Sequence, residues 1–105
     1  MRIRPSSRVI FKVKEPQTFL KEHGFVYTLR RKRKEGYCRI YFDNEMVAIG
    51  YIEEIGHIHK IDLSKYAKYS GFKSAEQWYT KARKMYKNNI HSLYLYKVTV
   101  IEWMQ

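Results

Sequence analysis

The run from Leu93 to Trp103, Leu-Tyr-Leu-Tyr-Lys-Val-Thr-Val-Ile-Glu-Trp, constrains the fold more than any other stretch of this chain. Its β-branched and aromatic residues suit a pleated strand. Its first positions are apolar on both faces, so neither face can lie in water. Such a strand is central to a closed or covered sheet, and the rest of the chain must supply the covers.

Material for that sheet recurs along the sequence. Arg8 to Val13 alternate and predict a first strand, and Phe25 to Leu29 a second. Tyr37 to Phe42 form a third after a Glu35-Gly36 turn, and Met46 to Ile55 a long fourth after Asp43-Asn44. Gly50 within the fourth marks a bulge or a close approach of another backbone. His57 to Ile61 offer a further short strand. Glu15-Pro16 opens a short helix that Gly24 closes. Asp62 to Tyr69 read as a brief helix stopped by Ser70-Gly71. Ser74 caps a longer one, with Gln77 three residues on completing a capping box. There Ala75, Trp78, Tyr79, Ala82, Met85 and Tyr86 share a buried face, while Gln77, Lys81, Lys84 and Lys87 point away. Asn88-Asn89 ends that helix. The expected fold is α+β, a small barrel of five to six strands with two or three flanking helices. A length of 105 residues, with no repeat or linker, makes residues 1–105 a single domain.

Charge narrows the partners. The chain carries 21 basic and 10 acidic residues, a formal balance of +11. So large an excess repels itself in the folded state, and polyanions are the commonest reason for it. Five consecutive cations, Arg30, Arg31, Lys32, Arg33 and Lys34, sit at the end of the second strand and in the loop beyond. Arg39 on the returning strand is placed to share a face with them, and Lys73 adds charge in the helical half. Phosphate contacts by such residues release counterions and give affinity without sequence preference. Ten tyrosines, five phenylalanines and two tryptophans raise base stacking as a second mode. Trp78, Tyr79, Tyr86, Tyr94 and Tyr96 are assigned to the core, whereas Tyr27, Tyr37 and Tyr69, beside cations or turns, are the stacking candidates.

Catalytic patterns are sparse. Cys38 is the one cysteine, so it forms no internal disulfide and no multi-thiolate zinc site, and it reads as a small buried hydrophobe. His57 and His59 would share a strand face, but a third metal ligand is not evident, so no metal and no cofactor is expected. Glu53 and Glu54 point to opposite faces, poor geometry for acid/base work, and one of them suits the cationic loop. Met1 to Pro5 hold no apolar signal segment and no run is long enough for a membrane span, which makes the expected setting cytoplasmic, with no membrane partner.

Three segments carry a resemblance. His23-Gly24-Phe25-Val26-Tyr27-Thr28-Leu29-Arg30, Val47 to Ile52 with its glycine, and Ser70-Gly71-Phe72-Lys73-Ser74-Ala75-Glu76-Gln77-Trp78 resemble, in order and spacing, the ASCH family of the PUA-like superfamily. The similarity covers about residues 20 to 102. It implies a PUA-like β-barrel with a cleft between sheet and helices that accepts RNA or a nucleotide, with Thr28 and Arg30 lining it. Some relatives hydrolyse acylated cytidine, and others have been considered nucleases. The hydrolase pattern has a lysine where this chain has Val26 (or Phe25), and a carboxylate where it has Ser70. Neither substitute ionises as a general base or activated nucleophile must.

The expectation is therefore a non-catalytic RNA-binding module, with DNA as a lesser possibility. Its contacts would come from Tyr27, Thr28, Arg30, Arg31, Lys32, Arg33, Lys34, Arg39, Tyr69 and Lys73. Two alternatives stay open: a small hydrolase acting on acylated cytidine or RNA, and a basic domain that meets an acidic protein.

Overall fold

A computed structural model describes residues 7–104. The N-terminal segment read above, Met1 to Pro5, lies outside the described residues. The chain is α+β. Strand β1 is Ser7–Phe11, helix α1 Lys14–His23, β2 Phe25–Arg31, β3 Gly36–Phe42 and β4 Glu45–His57. Two 3-10 turns, Leu63–Lys65 and Ala67–Tyr69, lead to helix α2, Ala75–Met85. A third, Ile90–Ser92, enters β5, Leu93–Trp103.

The five strands form one curled, half-barrel sheet in the order β1-β3-β4-β5-β2. β1 runs parallel to β3, and the other pairs are antiparallel. β5 lies between β4 and β2, so both of its edges are paired, and a separate core covers each of its faces. Tyr96 and Val98 belong to one core with Val9, Phe11, Val26 and Ile40, which Leu20 of α1 completes. Leu93 and Leu95 belong to a second core with Leu29, Trp78, Ala82 and Ile90, beneath α2 and the 3-10 turns. Both covers that the run demands are present.

Local chemistry sets the element ends. Gly24 takes a left-handed conformation (φ 78°) and donates its N–H to Leu20 O at 2.8 Å, closing α1. Ser74 Oγ accepts from the Gln77 N–H at 3.1 Å. The Gln77 side chain reaches back one residue further than a capping box requires, accepting from the Lys73 N–H at 2.7 Å. Gly50 marks both a register shift in the β4–β5 ladder and a close approach: a Cβ there would stand 2.6 Å from Ile40 Cδ1 and from Thr99 O.

Four expectations are corrected. β1 stops at Phe11 rather than Val13, because the Phe11 carbonyl is taken by the Asp43 N–H (3.0 Å) and Gln17 Nε2 (2.6 Å), and the chain turns into α1. His57 to Ile61 form no separate strand: β4 ends at His57, and the Lys60 N–H folds back onto His57 O at 2.8 Å. Asp62 to Tyr69 are two 3-10 turns rather than one helix. On α2, Lys81 is half-buried and Met85 is exposed, the reverse of the sequence assignment. Lys81 stands three residues after Trp78 and four before Met85, on the flank of the buried stripe.

Candidate nucleic-acid interface

Alternation along β2 sends Val26 and Thr28 inward, both buried, and carries Arg30 on to the end of the same face. Arg30 reaches a cleft between β1, β2 and α2 whose lining includes Lys12, Val13, Thr28, Trp78, Lys81 and Tyr86. Its Nε donates to Thr28 Oγ1 at 3.2 Å, and its guanidinium lies 4.8 Å from the centre of the Phe11 ring. Burial drives its pKa down to about 10; Arg33 adds to that, and Tyr86 partly offsets it. Among the described residues no carboxylate lines the cleft. Its ionisable polar groups are cations and phenols, set beside the hydroxyls of Thr28 and Ser70. The cavity is about 40 Å³. That holds about three waters, the scale of a phosphate group and too small for a base with its sugar.

The five-cation run does not act as one block. Arg30 is in the cleft, and Arg31 is exposed at the rim, 5.4 Å from the Tyr86 ring. Lys32 is bound to Glu54 at 2.6 Å, the one salt bridge among the described residues, and lies 4.7 Å from the Tyr94 ring. The hydrogen bond to Glu54 raises the Lys32 pKa. This is the pairing of a β4 glutamate with the loop that the sequence suggested. Arg33 is structural: its guanidinium donates to Arg8 O at 2.7 Å, and its N–H donates to Tyr96 Oη at 2.8 Å. It thereby holds the loop over the end of the curled sheet and ties it to β1. Lys34 is exposed.

The other predicted residues are scattered. Tyr27 packs between Tyr66 and Tyr69, at ring distances of 5.0 and 6.0 Å, and burial raises its pKa. Tyr69 also meets Phe25 at 5.8 Å, so both tyrosines are largely engaged by neighbouring rings. Lys73 is exposed and does not line the cleft. Arg39 does not share a face with Arg30. Its neighbours Cys38 and Ile40 point into the first core, so Arg39 lies on the outer face of the sheet.

Sequence reasoning missed Lys12 and misdirected Lys81, which both line the cleft. The helical spacing of Lys81 from Trp78 was a usable signal, whereas nothing local marked Lys12. Val26 and Ser70, two of the residues that the resemblance compared with hydrolase positions, are both buried. Val26 is fully buried in the first core. Ser70 is also fully buried, donating to Ala67 O at 2.5 Å and accepting from the Phe72 N–H at 3.1 Å. Cys38 is buried, and burial pushes its thiol up to about 11, so it is not the thiolate a nucleophile requires. His91 joins the two histidines noted in the sequence, with His59 Nε2 and His91 Nδ1 2.8 Å apart. Among the described residues no group of three His, Cys, Asp or Glu is arranged to hold a metal ion, and no helix is long and apolar enough to cross a membrane.

No protein-family model matches the chain, and no curated protein and no solved structure is significantly similar to it.

Proposed function

We propose that this chain is a non-catalytic RNA-binding module of the ASCH, PUA-like type that seats a phosphate group in the Arg30 cleft. One observation carries the reading: Arg30 is a half-buried guanidinium with a single side-chain hydrogen bond, in a cleft that no carboxylate lines among the described residues. A partly buried cation without a counter-charge loses hydration, and an anion that supplies further acceptors offsets that cost. Lys12, Lys81 and Arg31 around the cleft draw the backbone of a polyanion toward it. The choice of RNA over DNA rests on the family resemblance. Hydrolysis of acylated cytidine or RNA is the weaker reading, because the resemblance sets Val26 (or Phe25) and Ser70 where that chemistry needs ionisable groups.

The test is fluorescence anisotropy with labelled RNA and DNA oligonucleotides of mixed sequence across a salt series. Affinity should fall with a slope of about −0.7 per phosphate contacted on single strands. Arg30→Ala should weaken binding about ten-fold or more, the scale of a charge-assisted contact. Affinity that barely changes between low and physiological salt, or an Arg30→Ala protein that binds like the wild type, overturns the proposal. A failure to retain any nucleic acid, alongside capture of an acidic protein, favours the protein-interaction reading instead.

A further inference from the structure

We infer that the outer face of β1, β3 and β4 is a stacking platform for single-stranded nucleic acid. The inference rests on the nucleic-acid reading above but assigns a second surface with its own residues. Tyr37 of β3 stands directly opposite Tyr51 of β4. The rings meet edge to face at 5.3 Å, yet the residues stay 48% and 40% exposed. Tyr51 in turn faces Thr99 of β5, which faces Phe25 of β2. The exposed aromatic pair therefore spans two adjacent strands, ~4.8 Å apart; Thr99 interrupts the row, and Phe25 beyond it is packed against Phe19, Tyr27 and Tyr69. Such a pair accommodates one or two stacked bases.

The cations beside this row lack counter-charges. Arg39 lies two residues from Tyr37 on the same face and stands opposite Arg8 of β1. Like charges directly opposite each other destabilise a sheet. Neither arginine has a salt bridge among the described residues, and Arg39 Nε is buried without a hydrogen-bond partner. Of the carboxylates on this face, Glu53 of β4 stands two residues from Tyr51 and opposite Lys97 of β5, and Glu102 of β5 stands opposite Ile49; neither is opposite Arg8 or Arg39. A phosphate between Arg8 and Arg39 relieves their repulsion, while the attached bases extend over Tyr37 and Tyr51. A single strand offers both groups at that spacing. An acidic peptide satisfies the arginines and leaves the rings bare. A second copy packed with its two-fold axis at this arginine pair brings the Arg8 and Arg39 of each subunit against those of the other.

The experiment compares binding of a labelled single-stranded RNA and of its duplex by wild type, Tyr37→Thr/Tyr51→Thr, Tyr37→Phe/Tyr51→Phe and Arg30→Ala. Threonine keeps strand propensity at these exposed positions. The threonine protein should lose about ten-fold or more on the single strand and little on the duplex, and phenylalanine should restore binding. If the threonine and wild-type proteins bind the single strand equally while Arg30→Ala binds weakly, the platform is overturned and the cleft reading survives. Wild type that binds no nucleic acid overturns both. Sedimentation that shows the threonine pair dissociating a dimer, with RNA affinity unchanged, assigns the face to self-contact and overturns the platform. Photo-crosslinking of wild type to thiouridine-substituted RNA tests the same point without a variant: adducts on the Tyr37 or Tyr51 peptides support it, and adducts confined to the cleft refute it.

Discussion

Arg30 concentrates the tension in this molecule. Burial holds its pKa below the ordinary arginine range because the folded protein disfavours the charge it carries, and Thr28 and the Phe11 ring are its main compensation. A half-buried charge with no counter-ion beside it is a stability cost. Replacement with an unbranched apolar chain of similar length should therefore stabilise the free protein. Arg30→Met is expected to gain about 1 kcal/mol, or ~4–8 °C in melting temperature, and to lose the further stabilisation that inorganic phosphate gives the wild type. Thermal melts with and without phosphate measure both effects. A melting temperature below wild type for Arg30→Met would show that Arg30 is a structural group rather than a waiting ligand.

Among the elements, β4 and β5 do most to shape the molecule, and Gly50 is where they meet most tightly. An added Cβ stands 2.6 Å from Thr99 O, a backbone atom that cannot rotate away, whereas Ile40 Cδ1 at the same distance can. Gly50→Ala is expected to lose about 2 kcal/mol by overpacking, visible as a melting temperature ~8–16 °C lower. An unchanged melt would mean that the strands separate freely and that the bulge is not under constraint. Element identity was legible where period and capping agreed. β2, β3, β4, β5 and α2 follow from alternation, turn residues and the Ser74 cap. The segment from Ile58 to Tyr69 was not legible. Its conformation is set by distant partners, such as Leu93 O accepting from the Ile58 N–H at 3.0 Å, and no local pattern encodes those.

The whole molecule carries its +11 in a body with a radius of gyration of 13.1 Å. Charges that close repel across the entire fold when the Debye length is about 30 Å, at 0.01 M salt, and much less at about 10 Å, at 0.1 M. With one salt bridge among the described residues, screening removes far more repulsion than attraction. Melting temperature should therefore rise by about 4 °C or more as sodium chloride goes from about 10 to 300 mM. Calorimetry or circular dichroism checks this. A flat or falling melt across that range would mean that the surface charge is already locally compensated.

The sequence by itself determined the α+β class, the central place of β5 and the basic character of the surface. Each of these follows from composition or short-range period, which survive without knowledge of what folds against what. Only the tertiary structure decided how the cations divide. It turned Arg30 into the cleft, tied Arg33 to Arg8 O, neutralised Lys32 with Glu54 and set Arg39 on the opposite face of the sheet. Adjacent residues in a strand point to opposite faces, and the loop that follows obeys no period. A run of like charges therefore reads as one patch in sequence and becomes several different environments once the sheet curls.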